Sequence, residues 1–452
     1  MPQTFIHARR ALLADGWARD VLIDIDGGIV RKISAKAQAT SIPSDTEYVD
    51  VLMPGMSNVH SHAFQRGMAG LAERRGLPSE NFWSWREVMY RFALSLEPDQ
   101  VEAIALQVYV EMLEAGFTRV GEFHYLHHDR DGRPYSDVGE LAARIASASS
   151  ETGIGLTLLP VFYAHSTFGG APPVDGQKRF ICNVDQFAKL VERSREIIKP
   201  LAHANFGIAP HSLRAVTPDE LARVIQLSNN EPIHLHVSEQ TKEVDDCLAW
   251  ISARPMQWLL DHAPVNERWC AIHATHLNDD ETNRFASTGA VAGLCPITEA
   301  NLGDGIFNTD QFLDLEGSIG IGTDSNILIG VSDELRQLEY AQRLKHRART
   351  VLARAGESTG RRLFEAAQAG GAQALNVESN AIRVGSPANF ISLDANHPLL
   401  IARDEDNLLD AWIFAGAKAI DCVWVLGKKL VSNGRHIRRD EIARKFRADF
   451  DN

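Results

Sequence analysis

Two hydrophobic patterns divide the chain. Near the N-terminus, "VLIDIDGGIVRKIS" (21–34) alternates apolar and polar residues on either side of Asp26-Gly27-Gly28, which predicts a β-hairpin turning at the glycines. The same texture returns in "ANFISLD" (388–394) and "CVWVLGKKLVSNGRHI" (422–437) and is absent between these ends. Chain termini often lie close together, so both ends are expected to build one small β-sandwich domain. Residues 1–52 form its first part; residues 381–452 form its second part and a C-terminal helix.

The middle, residues 53–380, alternates differently. Apolar, β-rich runs occur at "DVLMPGMSNVH", "TRVGEFHY", "GLTLLPVFY", "NFGIAPHS", "IHLHVSE", "WCAIHATH", "VAGLCPI" and "SIGIGTD", with helical patterns between most of them. Val101, Ile104, Ala105, Val108, Tyr109, Met112 and Leu113 share one helical stripe that ends at Gly116. Thr217, Pro218 and Glu220 spell an N-cap, a first-turn proline and the far end of a capping box. Repeated βα units with eight strands predict a (β/α)8 TIM-type barrel rather than an open sheet. Two long segments that follow strands, 62–85 and 164–180, are expected over the barrel mouth. The aromatic stretch within 63–92 is the candidate lid.

The totals narrow the function. At 452 residues, 44% hydrophobic and 23% charged, the chain can bury a large core. A net charge of −13 argues against a nucleic-acid or anionic-membrane partner. Five scattered cysteines with no Cys-x-x-Cys pair suggest neither a disulfide framework nor a thiolate zinc site. "MPQTFIHARRALLADGWARD" lacks the apolar core of a signal peptide, which points to the cytoplasm.

The chemistry lies at the strand ends. His60 and His62 close the first barrel strand, His236 sits in the fifth, His273 in the sixth, and Asp324 closes the eighth. Taken singly, each histidine could be a satisfied core or loop residue. Together they would converge at one end of a barrel, where catalytic groups gather. Imidazoles with a carboxylate suit one divalent metal ion, with zinc the default and iron or manganese alternatives. Glu239, three residues past His236, can face such a metal without binding it and carry a proton for hydrolysis. His234 and His276 are rival ligands, better explained as structural.

"PGMSNVHSH", "HLHVSE", "AIHATH" and "GTDSN", in that order, resemble the amidohydrolase superfamily, in its mononuclear deaminase branch. The likeness implies His60, His62, His236 and Asp324 as metal ligands and Glu239 as the proton shuttle. It implies that His273 orients the attacking water or polarises the substrate, and that Asp324 also accepts a proton. The fourth-strand segment has no lysine to bridge a second metal. Within the branch, "HSHAFQRGMAG", "FWSWRE", "GEFHYLHH", "APHSLRAV" and "CPITEANLGDG" look like the formimidoylglutamate deiminase family of histidine degradation. That resemblance implies a homodimer acting on a small dicarboxylate. Arg86, Tyr125 and Arg214 are expected on strand-following loops as carboxylate partners, with Gln65, His211 and Ser325 as further contacts. Competing expectations are a deaminase of a purine or pyrimidine base on the same metal site, and a barrel that has lost its chemistry.

Overall fold

The eight apolar runs are the eight staves of a barrel. The computed structural model describes residues 3–37, 42–76, 80–416 and 418–450. Met56–Ser61, Phe117–His124, Gly155–Phe162 and Ala204–Phe206 form one parallel series. Ile233–Val237, Trp269–His273, Val291–Leu294 and Ser318–Ile321 form the other. Single bridges close the ring at Ser61–Asp324 on one side and at Ile208–Ile233 and Ser212–His236 on the other. Helices predicted from periodicity occupy Pro98–Glu114 and Pro218–Ile225; the Thr217 side chain accepts the Glu220 N–H as its capping box requires.

Two runs that read as continuous in sequence are broken. "DVLMPGMSNVH" divides at Gly55: Glu47–Pro54 belongs to a separate sheet, and only Met56–Ser61 is a barrel stave. Proline lacks an N–H for a ladder, and a β-carbon on Gly55 would lie 2.3 Å from the Thr118 side chain, so the chain changes sheet there. "NFGIAPHS" likewise splits into Ala204–Phe206 and Ala209–Pro210 around Gly207.

Both chain ends meet in one eight-stranded sheet. Its order is 435–436, 428–432, 420–425, 390–393, 47–54, 4–13, 16–26 and 29–34. Only the pair 4–13 and 47–54 is parallel. The predicted hairpin turns where Asp26 faces Ile29, with Gly27 at φ 60° and Gly28 at φ 80°, the left-handed pair such a turn needs. Ile6, Val21, Ile23, Phe390 and Trp424 give this sheet its own core, distinct from the barrel's.

A tight turn over Ala63–Met68 and a helix over Phe82–Ser95 follow the first stave. This is the predicted lid; its residues 77–79 fall outside the described residues. Arg86 therefore stands on a helix rather than on a loop, because Asn81 caps the N–H groups of Trp83 and Ser84 and starts the helix before it. Among the described residues no helix is long and apolar enough to cross a membrane.

Candidate active site

The strand ends are bound together before any side chain reaches the cavity. Asn58 Nδ2 donates to Thr323 Oγ1 at 2.7 Å, and Thr323 Oγ1 donates to Asn326 Oδ1 at 2.6 Å. Asn326 Nδ2 in turn donates to the His62 and Asp324 carbonyls. The first and eighth staves are thus stapled beside His60, His62 and Asp324. His273 and Asp324 hold left-handed backbone at φ 66° and 43°. Such conformations cost about 1–3 kcal/mol for a residue with a side chain and persist only where surroundings overdetermine them.

His60, His236, His273 and Asp324 each offer one ligand atom, all within 4.8 Å of one another. His62 stands beside this group, its Nε2 3.3 Å from Asp324 Oδ1, the same distance as His60 Nε2. Hydrogen bonds set the imidazole tautomers. His62 Nδ1 donates to the Phe123 carbonyl at 3.0 Å and His236 Nδ1 to the His211 carbonyl at 2.9 Å. A carbonyl only accepts, so in the neutral ring each Nε2 turns a lone pair inward. His236 Nε2 and His60 Nε2 lie 3.1 Å apart, and His273 Nε2 has no hydrogen-bond partner. Lone pairs converging on one point beside a carboxylate fit a divalent cation.

The charges agree with this division. Burial pushes the His60 imidazole down to about 3 and also lowers His62 and His236, keeping them neutral donors. Burial would raise the Asp324 carboxyl, but its hydrogen bond with His60 and the neighbouring His60, His62 and His273 imidazoles hold it well below the usual range. His273 differs: against burial, its bond to Glu299 and the charges of Glu239 and Asp324 raise it to about 10. Glu239, carried past the strand end on a loop, is pushed up by burial against the opposing pull of His273 and Arg214. Its Oε1 is 3.9 Å from His273 Nε2 and its Oε2 is 3.2 Å from Arg214 Nη2. It does not belong to the tight four.

A cavity opens above the cluster, lined among others by Gln65, Arg86, Tyr125, His211, Arg214 and Glu239. Gln65 Nε2 donates to the Tyr125 hydroxyl at 2.8 Å, leaving Gln65 Oε1 without a partner. His211 packs on Tyr163 at 4.4 Å between ring centres. Ser325 is not among the residues lining that cavity, and its hydroxyl is hydrogen-bonded with Thr298 Oγ1 at 3.0 Å. His234 and His276 are structural, bonded to the carbonyls of Ala374 and Asp304.

Two groups escaped sequence reasoning. Glu299 lies 3.2 Å from His273 Nδ1 and orients that ring. Glu243 accepts the N–H groups of Ser238 and Glu239 and lies 3.9 Å from Arg214 Nε. Glu299 sits in the quoted "CPITEANLGDG" and Glu243 four residues past Glu239, but neither spacing shows which way the carboxylate points.

The model of the amidohydrolase family matches residues 51–430, and that of the formimidoylglutamate deiminase N-terminal domain matches residues 3–43. A formimidoylglutamate deiminase of Pseudomonas aeruginosa is 48% identical over 445 residues, 98% of this chain and 97% of the relative. An amidohydrolase crystal structure from Brucella melitensis superposes with a TM-score of 0.95 at 56% identity, covering 99% of this chain and 98% of that one. An adenosine deaminase from Xanthomonas campestris with bound zinc shares the fold, with a TM-score of 0.82 at 22% identity over 99% and 98% of the two chains. With the barrel, its split β sheet and both family models in agreement, the chain belongs to the amidohydrolase family of hydrolases and, within it, to the formimidoylglutamate deiminases.

Proposed function

We propose that the protein hydrolyses N-formimidoyl-L-glutamate to N-formyl-L-glutamate and ammonia at one divalent metal ion, with zinc the first candidate. The observation that carries this reading is the placement of Arg86 and Arg214 on the cavity that also holds Glu239 and the histidine–aspartate cluster. In a chain of net charge −13, two guanidiniums at one mouth suit a substrate with two carboxylates.

His60, His62, His236 and Asp324 would hold the ion, with His273 against it. A bound ion of this kind lowers the pKa of water enough to supply a nucleophile near neutral pH. Glu239 takes a proton as water adds to the amidine carbon and returns it to the nitrogen that leaves as ammonia. Asp324 would also accept a proton, and His273, held by Glu299, would orient the adding oxygen. Arg86 and Arg214 hold the carboxylates, with Tyr125, Gln65 and His211 completing the cradle. Five buried, unpaired cysteines suit a reducing compartment, so the reading includes the cytoplasm. It includes a homodimer, the commonest soluble oligomer.

The test is ammonia release by the zinc-loaded protein from N-formimidoyl-L-glutamate, with adenosine, guanine and cytosine alongside. Turnover of the formimidoyl compound alone supports the assignment. Turnover of a base instead keeps the metal site and discards the carboxylate role of the arginines.

A further inference from the structure

One ring on the lid gathers cations from three elements. The Arg86 guanidinium, one turn along the same helix, lies 4.5 Å from the centre of the Trp83 ring. The Arg214 guanidinium, from the loop after the fourth stave, lies 5.8 Å from it. The Lys242 ammonium, from the helix over Thr241–Ile251, lies 5.7 Å from it. Their other partners differ. Lys242 pairs with Asp246 at 2.6 Å, and Arg214 with Glu239 at 3.2 Å. Arg86 has no carboxylate partner among the described residues, and its buried Nε has no acceptor. What holds it is a pair of ring faces, Trp83 and, at 5.5 Å, Tyr90.

An aromatic face attracts a cation without accepting its hydrogen bonds. A carboxylate in the same place would consume the donors; an aliphatic side chain would leave like charges to spread apart. Trp83 itself is placed by the helix start, where Asn81 Oδ1 accepts the Trp83 N–H at 2.9 Å.

We propose that Trp83 is a specificity-determining positioning residue: its ring holds the Arg86 guanidinium in place at the cavity without neutralising it and ties the lid helix to Arg214 and Lys242, so that a second substrate carboxylate finds a free guanidinium. The claim rests on the dicarboxylate reading above for the identity of the ligand. The residue does not touch the reacting atoms; it acts through Arg86.

The experiment compares wild type with Trp83→Tyr, Trp83→Phe and Trp83→Leu in the metal-loaded enzyme. KM and kcat are measured for N-formimidoyl-L-glutamate and for its monocarboxylate analogues N-formimidoylglycine and N-formimidoyl-4-aminobutyrate. Binding of glutarate by calorimetry is a readout independent of turnover. Trp83→Leu is expected to raise KM and the glutarate Kd about tenfold, with kcat within about twofold of wild type. Tyrosine and phenylalanine should fall between, because their ring faces are weaker than that of tryptophan. The preference for the dicarboxylate over at least one monocarboxylate analogue should shrink in the same order. An equal loss on all three substrates, a fall in kcat at unchanged KM, or no change in glutarate affinity would overturn the proposal. If Trp83→Leu does not fold, the Trp, Tyr and Phe series decides alone. A wild type that binds glutarate but does not turn over the formimidoyl substrate refutes the functional reading while leaving the Trp83 comparison intact.

Discussion

The floor and the roof of the cavity are built by opposite means. On the floor, His62, His236 and His273 each have Nδ1 tied to a carbonyl or carboxylate. The backbone beneath them is stapled by Asn58, Thr323 and Asn326 and held left-handed at His273 and Asp324. In the roof, Arg86 is held by ring faces and has no acid partner among the described residues. Directional hydrogen bonds locate atoms that must meet one ion; non-directional ring contacts hold a charge while leaving its donors free for a ligand. On the proposed function, chemistry belongs to the floor and substrate choice to the roof, and substitutions should separate into effects on kcat and effects on KM.

The largest break in that comparison comes from the floor. Glu239→Gln should lower kcat by about 10²- to 10⁴-fold while metal analysis finds the ion still bound. Loss of the metal instead would place Glu239 among the ligands. Glu299→Gln should weaken metal affinity by about 10- to 100-fold if His273 is a ligand, and leave it unchanged if His62 takes that place. Titration of the apo protein with zinc decides which histidine completes the set that sequence and geometry draw differently.

Roof substitutions should read out otherwise. Arg86→Ala should raise KM by about 10- to 100-fold with little change in kcat. Arg214→Ala should alter both, because Arg214 also contacts Glu239. Steady-state kinetics of the pair measures how cleanly roof and floor divide.

A buried acid behind the floor makes a pH prediction. Burial raises the Glu122 carboxyl to about 8, although it accepts the Ala63 N–H and the Tyr109 hydroxyl. The folded state thus favours the protonated form. The stabilisation is fully present below the ordinary value of 4.5 and is lost as pH climbs through about 8. Urea unfolding at constant metal occupancy should show stability declining over that window by a few kcal/mol, roughly, and Glu122→Gln should flatten the slope. The smallest effect is expected at Ser325→Ala: its hydroxyl faces Thr298, so KM should change by less than about twofold.

Much of this was legible in the chain. The stave order, the terminal hairpin and the Thr217 capping box depend on local periodicity and on residues no more than three or four apart, and they appear where the pattern put them. The donor types at the mouth were legible too, because a parallel barrel delivers every strand's C-terminal end to one face. Breaks at Gly55 and Gly207 were not, since each depends on a neighbour from elsewhere in the chain, Thr118 and Pro232.

By itself, the sequence determined that a barrel with a β domain would carry histidines and an aspartate on one face, with arginines near enough to attract acids. Tertiary structure alone decided that His273 joins His60, His236 and Asp324 in the tight four, that Ser325 bonds to Thr298, that Glu299 reaches His273 and that Arg86 lies over the Trp83 ring. The reason is geometric. A strand's alternation says which face a residue is on, but the last residue of a strand leaves that alternation. The left-handed turn at Asp324 sits beside a bond between residues 265 positions apart, from Asn58 to Thr323.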